Sequence, residues 1–150
     1  MRISDTFGFL LGTWDLSRSY TDHRDGTRST FQGQAVLAVT QLAGATAGLE
    51  RARYDETGHL HLGDYRNAAS RSLEYRRRAD GTVMLYRAGG QPFVELDLTN
   101  GAWQASHPCG ADHYEISTVV RSRDIVEEHW QVQGPAKDYT AVATLHRILR

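Results

Sequence analysis

Cysteine is almost absent from this sequence, and no charge of one sign dominates it. Cys109 is the only cysteine, so an intramolecular disulfide is impossible and a secreted, disulfide-stapled scaffold is excluded. The chain has 17 Lys and Arg against 18 Asp and Glu, a formal net charge of −1 with no long run of either sign. Nucleic-acid surfaces need clustered positive charge, so we expect no nucleic-acid partner.

Long apolar runs are also missing. No stretch approaches the roughly 18 apolar residues of a membrane-spanning helix, and Asp5 precedes any apolar segment of signal-peptide length. With the single cysteine, these absences predict a cytoplasmic protein without a membrane partner. The chain's 150 residues match the usual length of one domain, so we expect residues 1–150 to share one core.

Short segments of alternating apolar and polar residues, rich in Val, Thr, Tyr, Leu and Trp, fill most of the chain. Alternation with a period of two predicts half-buried β-strands. After a helical turn over Asp5–Leu11, strands are predicted at Gly12–Tyr20, Ser29–Thr40, Gly48–Tyr54, His59–Tyr65, Ser70–Arg78, Thr82–Arg87, Phe93–Leu98, Trp103–His107, His113–Ser122, Ile125–Gln133 and Tyr139–Leu149.

Glycine-containing clusters separate these segments. Asp25-Gly26, Glu56-Thr57-Gly58, Asp80-Gly81 and Asn100-Gly101 tolerate positive φ and predict hairpin turns. No helical pattern separates the strands, so a parallel sheet has no support. We predict an all-β fold, an antiparallel barrel of about eight to ten strands, because closure removes exposed edges.

Two segments break the rhythm, and the alternation assigns inward and outward faces. Gln41–Ala47 and Ala88–Pro92 are candidate rims of the barrel mouth. On the first strand, the face carrying Trp14, Leu16, Arg18 and Tyr20 is expected to point inward.

One later strand leaves its orientation open. Between Phe93 and Leu98, Glu95 and Asp97 share a face with Phe93. That face points to solvent, or it lines the lumen if the barrel holds a polar ligand, with arginines such as Arg76 as counter-charges.

The segment from His107 to Tyr114 concentrates two imidazoles, a thiol, a carboxylate and a phenol around a Pro–Gly bend. At a rim, a histidine can exchange protons near neutral pH and Asp112 can fix its tautomer. The structural alternative is that Asp112 satisfies turn amides while His107 and Tyr114 pack. Cys109 would be a nucleophile only with a histidine within hydrogen-bond reach.

Lys137 and two histidines complete the candidate polar residues. Lys137 precedes Asp138 in a turn and forms a surface ion pair, or it binds an anionic group or acts as an acid. His59 and His61 share a strand face that could bind a metal if more ligands converged, but solvent exposure is the simpler interpretation. With no P-loop or dinucleotide motif present, we expect neither a metal nor a cofactor.

Gly12-Thr13-Trp14 at the first strand and Leu145-His146-Arg147 at the last resemble calycin barrels: lipocalins, fatty-acid-binding proteins and nitrobindin-like proteins. The resemblance implies that Arg147 covers Trp14 at the closed barrel end, a structural contact. Nitrobindin-like proteins bind haem, and His146 stands near the position of their axial histidine. Their Gly-rich, Tyr-Pro segment is replaced here by Asp15–Tyr20.

A wider resemblance links the chain to an uncharacterised family of small calycin-like proteins. It is carried by Phe9–Trp14, Pro92–Leu98, His107–Tyr114 and Gly134–Tyr139. It implies the calycin-like fold and little about activity.

Three functions remain after these observations. The favoured one is a cofactor-free acid/base enzyme, of isomerase, cyclase, dehydratase or hydrolase type, acting on an organic metabolite in the barrel. Its expected catalytic residues are His107, Asp112, Tyr114, Glu95 and Lys137. The alternatives are a non-catalytic lipocalin-like carrier or sensor of an apolar ligand, and a haem-binding protein.

The enzyme is favoured because a carrier of apolar ligands does not need several ionisable side chains at its mouth. A small molecule is the expected partner, and a homodimer is left open. The expected ligand-binding residues are Trp14, Arg18, Tyr75, Arg76, Tyr86, Phe93, Asp97, Trp103, Cys109, Trp130 and Tyr139.

Overall fold

The computed structural model describes residues 1–42 and 50–148. In this part of the chain a short helix, α1 (Thr6–Leu10), precedes ten strands. They are β1 (Gly12–Asp22), β2 (Arg28–Gln41), β3 (Arg51–Leu62), β4 (Tyr65–Arg77), β5 (Val83–Arg87), β6 (Pro92–Leu96), β7 (Ala102–Cys109), β8 (Asp112–Ser122), β9 (Ile125–Gln133) and β10 (Asp138–Arg147). Within these described ranges, no helix is long and apolar enough to cross a membrane.

The strands form one antiparallel sheet in the order β6-β5-β4-β3-β2-β1-β10-β9-β8-β7. Pairing of β1 with β10 curls the sheet into a nearly closed barrel whose seam lies between β6 and β7. At the seam, Trp103 Nε1 donates a hydrogen bond to the Glu95 carbonyl oxygen at 2.8 Å. The predicted all-β antiparallel barrel of eight to ten strands is confirmed.

The hairpin predicted at Glu56-Thr57-Gly58 is wrong. β3 runs through these residues, and the chain reverses instead at Gly63, which has φ of 58°. Gly58 pairs with Gly33 of β2, and a Cβ atom on Gly58 would lie 2.7 Å from the Gly33 Cα. Glycine is therefore needed here for a close approach of two strands rather than for a turn.

One end of the barrel is closed by α1 and a buried tryptophan. Trp14 is 1% exposed, and its Nε1 donates to the Leu10 carbonyl at 2.9 Å. The Arg147 guanidinium lies 4.2 Å from the Trp14 ring centroid and donates to the carbonyls of Phe9 and Leu11 at 2.8 and 3.1 Å. The stacking of Arg147 on Trp14 is therefore confirmed, and we call this region the closed end.

The other end, which we call the open end, carries the hairpins that join β1 to β2, β3 to β4, β5 to β6, β7 to β8 and β9 to β10. The Ala88–Pro92 candidate rim lies here, whereas the other candidate rim, Gln41–Ala47, lies outside the described residues from position 43 onward. On β1, Trp14, Leu16 and Arg18 are buried and Tyr20 is half-buried, so the predicted inward face is confirmed.

Candidate functional site

A cavity of about 600 Å³ lies inside the open end, a volume typical of small-molecule sites. Its wall is largely apolar and aromatic, and charged side chains form its floor. The lining residues are Arg18, Tyr20, Asp22, Asp25, Thr27, Ser29, Phe31, Glu56, Leu60, Leu62, Ala69, Ser70, Arg71 and Tyr139. The cavity is therefore amphipathic: Arg18, Glu56 and Arg71 lie at its floor, and Asp25 and Asp22, which pairs with Arg24, lie at its mouth.

Two arginines share one carboxylate at this floor. Arg18 donates from both terminal nitrogens to Glu56, Nη1 to Oε1 at 3.0 Å and Nη2 to Oε2 at 2.7 Å. Arg71, which pairs with Glu56 in the β3–β4 register, donates from Nη2 to Oε2 at 2.8 Å. The hydroxyl of Tyr54 also donates to Oε2, at 2.6 Å. The Glu56 carboxylate is therefore fully engaged.

The three charged side chains differ in exposure. The side chains of Arg18 and Glu56 are 5% and 3% exposed, whereas that of Arg71 is 36% exposed. Burial acts to raise the pKa of Glu56, but its hydrogen bond with Arg18 and the charges of both arginines lower that pKa to about 2. Two cations and one anion leave the floor with excess positive charge.

Glu128 of β9 lies deeper in the barrel. It lines two smaller cavities of about 20 and 30 Å³, both also lined by Tyr54, Tyr75 and Thr118. No salt bridge to Glu128 occurs within residues 1–42 and 50–148. Burial raises the pKa of Glu128, against the lowering effects of Arg18 and Arg71. This carboxyl therefore resists ionisation more than an exposed glutamate does.

An aromatic cluster fills the interior on the β5–β9 side. Phe93 lies 5.0, 5.9 and 5.7 Å, between ring centroids, from His107, Tyr114 and Trp130. The Arg87 guanidinium lies 4.5 Å from the centroid of Phe93. Burial, helped by the Arg87 charge, lowers the pKa of His107. The cluster explains why the large cavity lies on the other side, against β1 to β4 and β10.

The structure brings together four of the five expected catalytic residues at the open end. Lys137 Nζ donates to the Tyr114 hydroxyl at 3.2 Å and lies 3.3 Å from Asp112 Oδ2. These two partners raise the pKa of Lys137. His107 packs on Tyr114, with ring centroids 5.9 Å apart. Glu95 is apart from this group, because its carboxylate lies 3.8 Å from Arg78 and is 40% exposed.

The expected ligand-binding residues are divided between several places. Arg18 and Tyr139 line the large cavity. The cavity of about 20 Å³ is lined by Tyr75, Phe93, Trp103 and Trp130. The cavity of about 30 Å³ is lined by Trp14 and Tyr75. Cys109 is exposed at the end of β7.

The expectation that Arg76, Tyr86 and Asp97 line the lumen is wrong. Tyr75 points inward on β4, so Arg76 points outward, where it stacks 4.0 Å from the Tyr86 ring centroid. Asp97 instead accepts hydrogen bonds from the backbone N–H and hydroxyl of Thr99 at 3.0 and 2.7 Å.

The histidines considered for haem or metal also lie outside the lumen. His146 is exposed, because its neighbour Leu145 takes the inward position on β10, so its imidazole does not point into the lumen. His59 and His61 lie on the outer face of β3, opposite in phase to Glu56. The described residues contain no group of three His, Cys, Asp or Glu side chains placed to hold a metal.

Sequence reasoning missed Glu56, Arg71 and Glu128. The sequence did contain a sign of them: a charged residue an even number of positions from apolar residues of the same strand shares their inward face. Arg71 precedes the inward Leu73 and Tyr75, and Glu128 lies between the inward Val126 and Trp130. Charges at inward positions are rare unless they are paired or functional.

A solved structure shares the barrel architecture. The S-type phycobiliprotein lyase CPES from Guillardia theta is similar, with a TM-score of 0.70 and 11% identity over 96% of this chain and 91% of that one. A redesigned β-barrel has a TM-score of 0.48 and 15% identity over 99% of this chain and 100% of its own. No curated protein matches the sequence. The model of DUF6314, a family of unknown function, matches residues 10–147, and the chain belongs to this family.

Proposed function

We propose that the barrel binds a small organic anion with an apolar body, entering through the open end. The observation that carries this proposal is the pairing of two arginines with one carboxylate at the floor of a cavity of about 600 Å³. The excess positive charge favours an anionic group at the floor. The apolar wall around Phe31 and Leu60 suits the body of the ligand.

Arg71 is the proposed anchor for the anionic group. Arg18 forms a bidentate pair with Glu56 through both terminal nitrogens, whereas Arg71 donates to that carboxylate only from Nη2. Arg71 is also the more exposed of the two, and its guanidinium carbon lies 5.4 Å from the Trp130 ring centroid. A guanidinium with donors to spare in a partly dry cavity is well suited to bind a carboxylate or sulfonate.

A matched pair of fluorescent probes tests the proposal. 1-Anilinonaphthalene-8-sulfonate (ANS) carries a sulfonate, and N-phenyl-1-naphthylamine (NPN) has the same ring skeleton without it. We expect Arg71→Gln to weaken ANS binding by about tenfold or more and to change NPN binding by less than about twofold. Arg76→Gln, on the outer face, is the matched control and should bind both probes as the wild type does.

Two results would contradict the proposal. One is wild-type protein that binds neither probe, which would leave the cavity without a ligand-binding role. The other is an Arg71→Gln variant that binds ANS as tightly as the wild type, which would remove Arg71 as the anchor.

Acid/base catalysis on the bound ligand is a second candidate function. Its support is the contact of Lys137 with Tyr114 and Asp112, beside Tyr139, which lines the cavity. Such groups could remove a proton from the ligand and return one elsewhere. The alternative without chemistry is a carrier or sensor that releases its ligand unchanged.

Hydrogen exchange distinguishes an enzyme from a carrier. Phenylpyruvate in D₂O would incorporate deuterium at C3 faster than the protein-free reaction if the barrel catalyses proton transfer. Exchange at the protein-free rate supports the carrier. Full activity of His107→Ala and Lys137→Met would remove these residues from the mechanism, whereas loss of exchange in Lys137→Met alone would support the rim cluster.

A further inference from the structure

A second, smaller space lies beneath Arg71, next to the proposed binding site, and a few polar groups face it among apolar residues. Arg71 lines both the large cavity and the inner cavity of about 20 Å³, so its side chain forms the boundary between them. Glu128, Tyr54 and Thr118 line this inner cavity and the neighbouring one of about 30 Å³. Spaces of this size accommodate one or two atoms of a polar group.

Two buried donors at this boundary have no partner among the described residues. They are Nε of Arg71 and Nε1 of Trp130, both of which carry a hydrogen. Trp130 lies two residues from Glu128 on the same strand face and helps to hold down the pKa of that carboxyl, yet its N–H forms no hydrogen bond of ordinary geometry. Buried N–H groups normally have an acceptor, so each one without a partner calls for an explanation.

Glu128 supplies the third polar group. It has no salt-bridge partner within the described ranges, although Arg18 of β1 and Arg71 of β4 influence it electrostatically. The other ionisable groups near it are Glu56 and Tyr54 of β3 and Tyr75 of β4.

The adjacent strands add no further charge near Glu128. Its register partners are Thr118 on β8 and Ala143 on β10. In its protonated form, the Glu128 carboxyl can donate one hydrogen bond and accept others. The inner space therefore contains two N–H donors without a partner among the described residues, and one carboxyl that can donate or accept.

We propose that the inner space is a subsite for an uncharged oxygen, a carbonyl or hydroxyl, carried on the carbon next to the acid group of the ligand. This inference rests on the proposed function, because the acid group must first bind Arg71. It narrows the ligand class to 2-oxo or 2-hydroxy acids with an apolar body. A site built to hydrogen-bond such an oxygen rejects analogues without it, because its buried donors would then stay unpaired.

Three acids that differ only at C2 test this subsite by displacement of ANS. They are 3-phenylpropionate, phenyllactate and phenylpyruvate, which carry two hydrogens, a hydroxyl and a carbonyl at that carbon. We expect wild-type protein to bind one of the two oxygenated acids at least about tenfold more tightly than 3-phenylpropionate. Glu128→Leu should reduce that preference to less than about threefold, with ANS affinity retained.

Two further variants keep the test decisive. Glu128→Gln keeps an N–H donor at the same place and should retain most of the preference. Trp130→Phe removes the indole donor and should lose part of it, and this variant serves if Glu128→Leu does not fold. Unfolding midpoints establish that each variant is folded before its affinities are compared.

The outcomes separate this inference from the proposed function. If ANS binding depends on Arg71 but wild-type protein binds all three acids equally, the subsite is refuted and the proposed function stands. If a preference exists but survives in both Glu128→Leu and Trp130→Phe, the assignment to these residues is refuted. If ANS binding does not depend on Arg71, the proposed function fails first.

Discussion

The barrel holds arginines inside both of its ends, and the two ends use them differently. At the closed end, all three nitrogens of the Arg147 guanidinium donate to backbone carbonyls, those of Phe9, Leu11 and Arg123. The same guanidinium lies over the Trp14 ring. At the open end, Arg71 gives one nitrogen to a carboxylate that also serves Arg18, and its Nε has no partner among the described residues.

The difference separates a structural cation from a candidate ligand-binding one. Arg147 is matched to fixed acceptors and packs against an aromatic ring, so it closes the barrel. Arg71 has more hydrogen-bond donors than the described part of the protein has acceptors for them, and it lines a cavity. A ligand can therefore supply the missing acceptors. Residue type and inward orientation are the same in both cases; the number of fixed acceptors distinguishes them.

Removing the shared carboxylate should produce the largest change. Glu56→Ala leaves the cations of Arg18 and Arg71 without their counter-charge in the interior, and we expect a loss of about 3–5 kcal/mol in the free energy of unfolding. Glu74→Ala is the matched control, because Glu74 pairs with Arg76 and Arg51 on the outer face. Its cost should stay below about 1 kcal/mol in urea titrations. Similar losses in both variants would contradict the account.

The same carboxylate predicts a pH dependence. The folded pKa of Glu56, about 2, lies below its ordinary value of 4.5, so its stabilisation is present above pH 4.5 and is lost as the pH falls toward 2. The loss should be about 3 kcal/mol. Glu128 has the opposite sign, because its raised pKa gives stability below pH 4.5 that is lost as the pH rises through its folded pKa.

Urea unfolding at pH values from 2 to 8 measures both effects. Glu56→Gln should flatten the acid limb, and Glu128→Gln should flatten the dependence above pH 4.5. An acid limb that is unchanged in Glu56→Gln would show that other carboxylates carry the acid sensitivity.

Removing the Arg147 side chain at the closed end should give the next largest effect. Arg147→Ala should lower the free energy of unfolding by about 2–3 kcal/mol, because it leaves carbonyls unpaired and uncovers Trp14. Its ANS affinity should equal that of the wild type. Chemical denaturation and probe titration of the same preparation measure both quantities, and weakened ANS binding in this variant would show that the ends are not independent.

The smallest effect is expected at the rim of the open end. The Lys137 side chain is 44% exposed, and its contacts with Asp112 and the Tyr114 hydroxyl lie at the partly exposed rim. Lys137→Met should therefore cost less than about 1 kcal/mol of folding stability. A larger loss, measured by urea denaturation, would show that this cluster helps to hold the barrel together.

Local sequence patterns were sufficient to predict the barrel but not the cavity floor. Alternation placed Trp14, Leu16 and Arg18 inward, because facing in a strand depends only on sequence parity. The Glu56-Thr57-Gly58 turn was wrong because a glycine required for close packing against Gly33 resembles a turn glycine. Because of that error, Glu56 was assigned to a turn, whereas it lies at an inward position of β3.

The site residues depend on register, which is a non-local property. Glu56 meets Arg71 only because β3 and β4 pair over their full length around a hairpin at Gly63. The His107–Tyr114 segment attracted attention through its density of reactive groups. The structure places its aromatic members in a packed cluster beside the cavity, and no composition signal distinguishes packing from lining.

The central claim is that Arg71 is an anchor for anions whereas Arg147 is structural. The most direct test is the ratio of ANS affinity to NPN affinity, measured in Arg71→Gln and Arg147→Lys side by side. The account predicts a ratio reduced by about tenfold in Arg71→Gln and unchanged in Arg147→Lys. A ratio that is unchanged in Arg71→Gln, or reduced equally in both variants, would contradict it.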